Sequence, residues 1–196
     1  SQAVITLTEA SFRIPSNQRN LLKVGDRYTI QDLTKIMLLS SSNEAAEALA
    51  GFYGRVNFIS QMNSEARKWG MTQTNFNDPT GLSVSNQSTI RDIQKLVEQI
   101  YENFPDILSI TRSRTVAVKE LGSGNEWLSS STNNFSGRPD FLGGKTGYTD
   151  EASGNLVSLF SYGNRTILVV VLGSSDRFLE TEKLTNWFKN DFTPSK

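Results

Sequence analysis

Apolar positions recur every three or four residues along most of residues 29–100, then give way to short alternating or continuous apolar runs. Residues 3–24 mix apolar pairs with polar residues and contain Pro15, which predicts extended chain and loop. Thr29-x-x-Asp32 resembles a capping box, and Ile30, Leu33, Ile36 and Met37 follow at helical spacing. That pattern predicts a buried helix ending near Leu39, where the run Ser40-Ser41-Ser42 interrupts it. A second helix is expected from Asn43, burying Ala46, Leu49 and Ala50, with Gly51 and Gly54 near its end. Val56, Ile59, Met62, Ala66 and Trp69 predict a third, closed by Gly70, and Asp78-Pro79-Thr80-Gly81 predicts a turn. The fourth is the clearest: Thr89-x-x-Asp92 caps it, and Ile90, Ile93, Leu96, Val97 and Ile100 line one face.

After Pro105 the pattern predicts strands and loops. Residues 115–119 alternate weakly, and residues 122–139 are rich in Ser, Asn and Gly, which together predict a hairpin and a long surface loop. Residues 154–162 and 166–172 flank the turn Gly163-Asn164. The run Ile167 to Leu172 is apolar on both faces and predicts a central strand covered by helices. Residues 177–192, with Phe178, Leu184, Trp187 and Phe188, predict a closing amphipathic helix. Helices first and strands later imply an α+β domain with a helical lobe beside an antiparallel sheet. Two or three strands make a thin sheet with an unpaired edge, so the chain reads as one incomplete domain over residues 1–196.

Composition narrows the chemistry. The 196 residues are 37% apolar, enough for a core, and 20 basic residues balance 20 acidic ones, so no basic field gathers nucleic acid. Histidine and cysteine are both absent, which excludes a Ser-His-Asp triad, a thiolate nucleophile and the common zinc ligands. A hydrolase built from this chain would need Lys, Asp, Glu or Tyr as its base. No metal or organic cofactor is implied. No apolar run reaches the ~18 residues of a membrane span, and the start shows no basic and apolar leader.

Two short elements carry chemistry: Ser41-Ser42-Asn43 between two helices, and Lys145-Thr146-Gly147 after Gly143-Gly144. Each has a structural explanation. Ser41 with Glu44 forms a capping box for the second helix, and a lysine and glycine beside a strand commonly make a solvated edge and a bulge.

Their order and setting tip the balance. Leu38 to Ala46 is followed by Met62-Asn63, Trp69-Gly70-Met71-Thr72, Asp78-Pro79-Thr80-Gly81-Leu82, Ser88-Thr89-x-x-Asp92, Thr132-Asn133 and Gly144-Lys145-Thr146-Gly147-Tyr148. From Leu22 to Phe192 this series resembles the low-molecular-weight penicillin-binding proteins, the serine-type D-alanyl-D-alanine carboxypeptidases. The resemblance implies a β-lactamase-like, D,D-peptidase-like fold and an acyl-enzyme mechanism using Ser-x-x-Lys, Ser-x-Asn and Lys-Thr-Gly. By similarity Ser41 relays a proton to the leaving amine and Asn43 hydrogen-bonds the substrate peptide. Lys145 and Thr146 hold the terminal carboxylate of D-Ala-D-Ala, Gly147 admits the substrate backbone, and the Tyr148 N–H serves the oxyanion hole. The family often has histidine where Tyr148 stands.

No Ser-x-x-Lys occurs in the sequence; the nearest imitation is Thr193-x-x-Lys196 at the tail. The expectation is a chain cut before its nucleophile helix and first strands, inactive by itself and unable to react with β-lactams until that segment is restored. The resemblance further implies a bacterial extracytoplasmic enzyme acting on peptidoglycan stem peptides. Alternatives are a non-catalytic peptidoglycan- or partner-binding module, or a D,D-endopeptidase or β-lactamase on the same scaffold.

Overall fold

A computed structural model describes residues 3–13 and 21–192. Pro15 and the tail Thr193-x-x-Lys196 lie outside them.

The chain opens with strand β1 (Val4–Thr6), a 3-10 turn (Glu9–Phe12) and strand β2 (Arg27–Thr29), and β1 and β2 pair antiparallel. This small sheet falls where extended chain and loop were expected. Four helices follow: α1 (Ile30–Ser40), α2 (Asn43–Phe52), α3 (Arg55–Lys68) and α4 (Ile90–Asn103). Thr29 caps α1 and Thr89 caps α4, each hydroxyl accepting from the backbone N–H of the aspartate three residues on. Such a cap satisfies one of the donors that a helix start leaves unpaired.

Pro105 opens a further helix, α5 (Pro105–Thr111), where sequence predicted strand or loop. Its ring fits the first helical position, where no N–H is needed. Strands β3 (Thr115–Lys119) and β4 (Glu126–Ser130) form the expected hairpin. Strands β5 (Phe141–Thr149), β6 (Ser153–Tyr162) and β7 (Arg165–Ser174) form an antiparallel meander, and α6 (Arg177–Asp191) closes the chain. The α+β architecture thus stands.

Two cores hold these elements. Ile5, Leu7, Tyr28, Leu33, Ile36, Leu49 and Val118 bury together between the first strands, α1, α2 and β3. Phe135, Phe141, Leu156, Phe160, Ile167, Val169 and Val171 form a second core at the β5–β7 sheet, packed in part by Phe178 and Phe188 of α6.

The sheet order is β5-β6-β7, so β6 is central and β7 is an edge among the described residues, against the expectation for residues 167–172. Its apolar residues divide between faces. Ile167, Val169 and Val171 are buried, while Leu168 and Val170 help line a groove of about 640 Å³ with Ile90 and Tyr101 of α4 and Leu184 and Trp187 of α6. For the same reason two helical faces are less covered than their patterns predict. Ile90 of α4, and Leu184 and Trp187 of α6, are exposed, and Thr181 and Thr185 are the buried residues of α6. In α3, Val56 is exposed and only Ala66 is buried.

Candidate active site

The junction of α1 and α2 sets the first part of the site. Ser42, not Ser41, is the N-cap of α2: its hydroxyl accepts from the Ala45 N–H at 3.1 Å and donates to Glu44 at 3.0 Å. Ser41 instead ends α1 in the left-handed conformation, with φ 58°. That region costs a residue with a Cβ roughly 1–2 kcal/mol. The capping explanation for Ser41 therefore fails, and its hydroxyl is left available. Helix α2 that follows is alanine-rich and buried continuously from Glu44 to Ala50, which fixes its first turn and Asn43 with it.

The second part is β5. Its register against β6 shifts between Phe141 and Gly143 and then runs regularly, pairing Lys145 with Val157 and Thr146 with Leu156. Two glycines make this placement possible. A Cβ on Gly144 would lie 2.3 Å from the Val157 carbonyl oxygen, and one on Gly143 would lie 2.8 Å from Thr111 Oγ1 of α5. The Thr111 hydroxyl accepts from the Gly144 N–H at 3.2 Å, tying helix to strand. The glycine run thus brings α5 close against the strand that carries Lys145.

Across 104 residues of sequence, Lys145 Nζ donates to Ser41 Oγ at 2.5 Å, and also to the carbonyl of Thr146 at 3.0 Å. The solvated edge expected of an unspecialised lysine is not what Lys145 makes. Burial, and secondarily the positive charge of Arg177, push its amine down from 10.5 to about 8. Thr146 is buried and shares a 2.6 Å hydroxyl–hydroxyl hydrogen bond with Thr132, and the backbone N–H of Thr132 donates to Leu39 at the end of α1.

Ser41, Asn43, Lys145, Thr146, Gly147 and Tyr148 all line one cleft of about 520 Å³. These six are the residues to which the resemblance assigns site roles. Tyr148 is 62% exposed and its hydroxyl donates to Asp150 at 3.3 Å.

Arg177 also lines this cleft, and sequence reasoning passed over it as the start of a helix. One of its terminal nitrogens donates to the Gly147 carbonyl at 2.8 Å, and its guanidinium lies 5.2 Å from the Phe178 ring centre. Its Nε is buried without a partner among the described residues. No local motif marks it; only the return of the chain after β7 brings it to β5. Two cations in one concave site, one of them easily deprotonated, suit an anionic ligand and a proton transfer.

Comparison with known proteins bears on the chain as a whole. A family profile described as D-alanyl-D-alanine carboxypeptidase matches residues 2–176. The chain is 34% identical over 186 residues to D-alanyl-D-alanine carboxypeptidase DacC of Escherichia coli, covering 89% of this chain and 45% of that one. It is 32% identical to a D-alanyl-D-alanine endopeptidase of Pseudomonas aeruginosa, covering 86% and 56%. It therefore spans about half the length of these relatives. Among solved structures, penicillin-binding protein D2 of Listeria monocytogenes in its ampicillin-bound form superposes with a TM-score of 0.81 at 30% identity, over 94% of this chain and 76% of that one. A mutant of the Streptomyces K15 DD-transpeptidase gives 0.83 at 29% identity, over 95% and 79%. The D,D-peptidase-like fold expected from sequence is thus the fold observed.

Proposed function

Because the chain belongs to the D-alanyl-D-alanine carboxypeptidase family, we propose that its cleft binds peptidoglycan stem peptides ending in D-Ala-D-Ala and serves their cleavage by acyl transfer. The observation that carries this reading is the meeting of Lys145 Nζ and Ser41 Oγ at 2.5 Å within a cleft that also holds Asn43, Thr146 and Arg177.

In this mechanism a serine hydroxyl attacks the penultimate carbonyl, its O–C bond forms, the peptide C–N bond breaks, and D-alanine leaves with the proton. Water then hydrolyses the ester. Lys145, Thr146 and Arg177 hold the terminal carboxylate, and Asn43 hydrogen-bonds the peptide. Gly147 lets the peptide backbone lie against β5, and the Tyr148 N–H donates to the developing oxyanion, an interaction worth about 3–4 kcal/mol. Ser41, hydrogen-bonded to an amine titrating near 8, passes the proton to the leaving nitrogen.

The attacking serine is assigned to a Ser-x-x-Lys segment outside these 196 residues, since none occurs within them. With that segment present, β-lactams acylate the same serine. The substrate lies outside the bacterial membrane, so the site works extracytoplasmically. A D,D-endopeptidase activity is the second reading, favoured by the relatives of that name in Pseudomonas aeruginosa and Escherichia coli, at 32% and 30% identity.

Labelling with a fluorescent penicillin tests the assignment. The 196-residue polypeptide takes no covalent label, whereas a longer polypeptide that includes an upstream Ser-x-x-Lys does, and Lys145→Ala in that longer form slows its labelling. Stable labelling of the short polypeptide would refute the assignment of the nucleophile. Release of D-alanine from a pentapeptide, against scission of a cross-linked muropeptide, separates carboxypeptidase from endopeptidase. Binding of either without turnover by the longer form marks a non-catalytic module.

A further inference from the structure

The turn Asp78-Pro79-Thr80-Gly81 belongs to a stretch that supplies Pro79, Thr80, Gly81 and Leu82 to the cleft lining. This stretch has almost no hydrophobic anchorage. From residue 77 to residue 87 only Asp78 is buried, at 5% exposure, while Val84 is 66% exposed. A loop of this kind keeps a fixed position only if polar contacts hold it.

Those contacts converge on one carboxylate. Asp78 Oδ1 accepts from the Thr80 N–H and the Thr80 hydroxyl, each at 2.6 Å, and from the Gly81 N–H at 2.8 Å. Oδ2 accepts from the Ser83 N–H at 2.7 Å and from Asn86 Nδ2 at 3.0 Å. Asn86 Oδ1 closes the loop from the other side, accepting from the N–H groups of Asn77 and Asp78. Gly81, at φ +85°, takes the left-handed step that lets the chain wrap the carboxylate. Burial alone would raise the Asp78 pKa, but the donors from Thr80, Ser83 and Gly81 outweigh it and hold the group below the ordinary carboxylate range.

We propose that Asp78 is a positioning residue of the substrate cleft: it touches no substrate, but its charge fixes Thr80, Gly81 and Leu82 where the peptide must pass. This rests on the substrate reading above, and its test is built so that the two can fail separately.

The 196-residue chain is titrated with an N-acetylated tripeptide ending in D-Ala-D-Ala, and amide hydrogen exchange is followed in the free protein. Asp78→Asn keeps one acceptor oxygen and turns the other into a donor that faces donors. It is expected to weaken binding at least five-fold and to speed exchange of the Thr80, Gly81 and Ser83 amides at least ten-fold, with β5–β7 unchanged. Asn86→Ala, a milder change, gives a smaller loss of the same kind. Asp92→Asn is the control. That carboxylate is equally buried and holds Gln73 and Thr74, neither of which lines the cleft, so binding stays within two-fold. Unchanged exchange in Asp78→Asn, or an equal loss of binding in Asp92→Asn, overturns the proposal. A wild-type chain that binds no tripeptide counts against the substrate reading, and the exchange data, which need no ligand, still decide the anchoring.

Discussion

Replacing Lys145 with methionine makes the electrostatics of the cleft measurable. In the folded chain the amine titrates near 8, against 10.5 when unfolded, so the folded state disfavours its proton. For a base with a depressed folded pKa, the unfolded state binds more protons between the two values. Stability therefore rises with pH across that window and is lowest below it. At pH 7 both states are protonated and nearly the whole penalty applies, on the order of 3 kcal/mol; at pH 10 roughly 1 kcal/mol remains. Lys145→Met has no such group, so the stability difference, wild type minus variant, should climb by about 2.5 kcal/mol from pH 7 to pH 10. Urea denaturation at pH 7, 8, 9 and 10 yields that difference directly. Groups common to both chains cancel, including Tyr28, whose phenol is pushed up by burial and would otherwise distort the alkaline end. A difference that stays flat within about 1 kcal/mol, or that falls with pH, would mean that Lys145 is not desolvated in the fold and would remove the basis for proton transfer through Ser41 beside it.

Two further changes probe the supports of the site. Gly144→Ala forces a Cβ to within 2.3 Å of the Val157 carbonyl and should cost roughly 2–3 kcal/mol in chemical denaturation. Gly147→Ala meets nothing nearer than Asn155 Cβ at 3.8 Å and should stay within about 0.5 kcal/mol of wild type while weakening tripeptide binding; equal destabilisation by both would contradict the strand register. Glu120 accepts from the Ser123 hydroxyl and from the N–H groups of Ser123, Arg27 and Gly122, which hold its pKa at about 2. Its stabilisation is complete above 4.5 and is lost as pH falls toward 2, so acid titration of the urea midpoint should be steeper for wild type than for Glu120→Gln, and parallel curves would refute the assignment.

Much of this was legible in the sequence where a residue's role is local. The caps Thr29 and Thr89 and the β3–β4 hairpin follow from short-range rules that tertiary packing did not override. Roles set by non-local approach were not legible. Ser41 and Ser42 are chemically equivalent candidates for the same cap, and only the turn at φ 58° assigns the cap to Ser42 and leaves Ser41 for Lys145. Helix α5 is seven residues long, too short to show a period, and its packing depends on the absent side chains of Gly143 and Gly144. Arg177 enters the cleft through the path of the chain after β7, which no spacing encodes. The cleft residues proper were found because the resemblance supplied what periodicity could not: that Ser41-Ser42-Asn43 and Lys145-Thr146-Gly147 belong together.

Among the described residues strand β7 pairs only with β6, and its far rim runs beside a groove that keeps Leu184 and Trp187 exposed. Such a rim is sticky in proportion to how much of it stays bare, because any extended peptide can satisfy its amides and carbonyls at once. Concentrated solutions of this polypeptide would accordingly tend to self-associate rim to rim, and dilution, or a charged residue placed at Val170, would be the means of keeping the molecules apart.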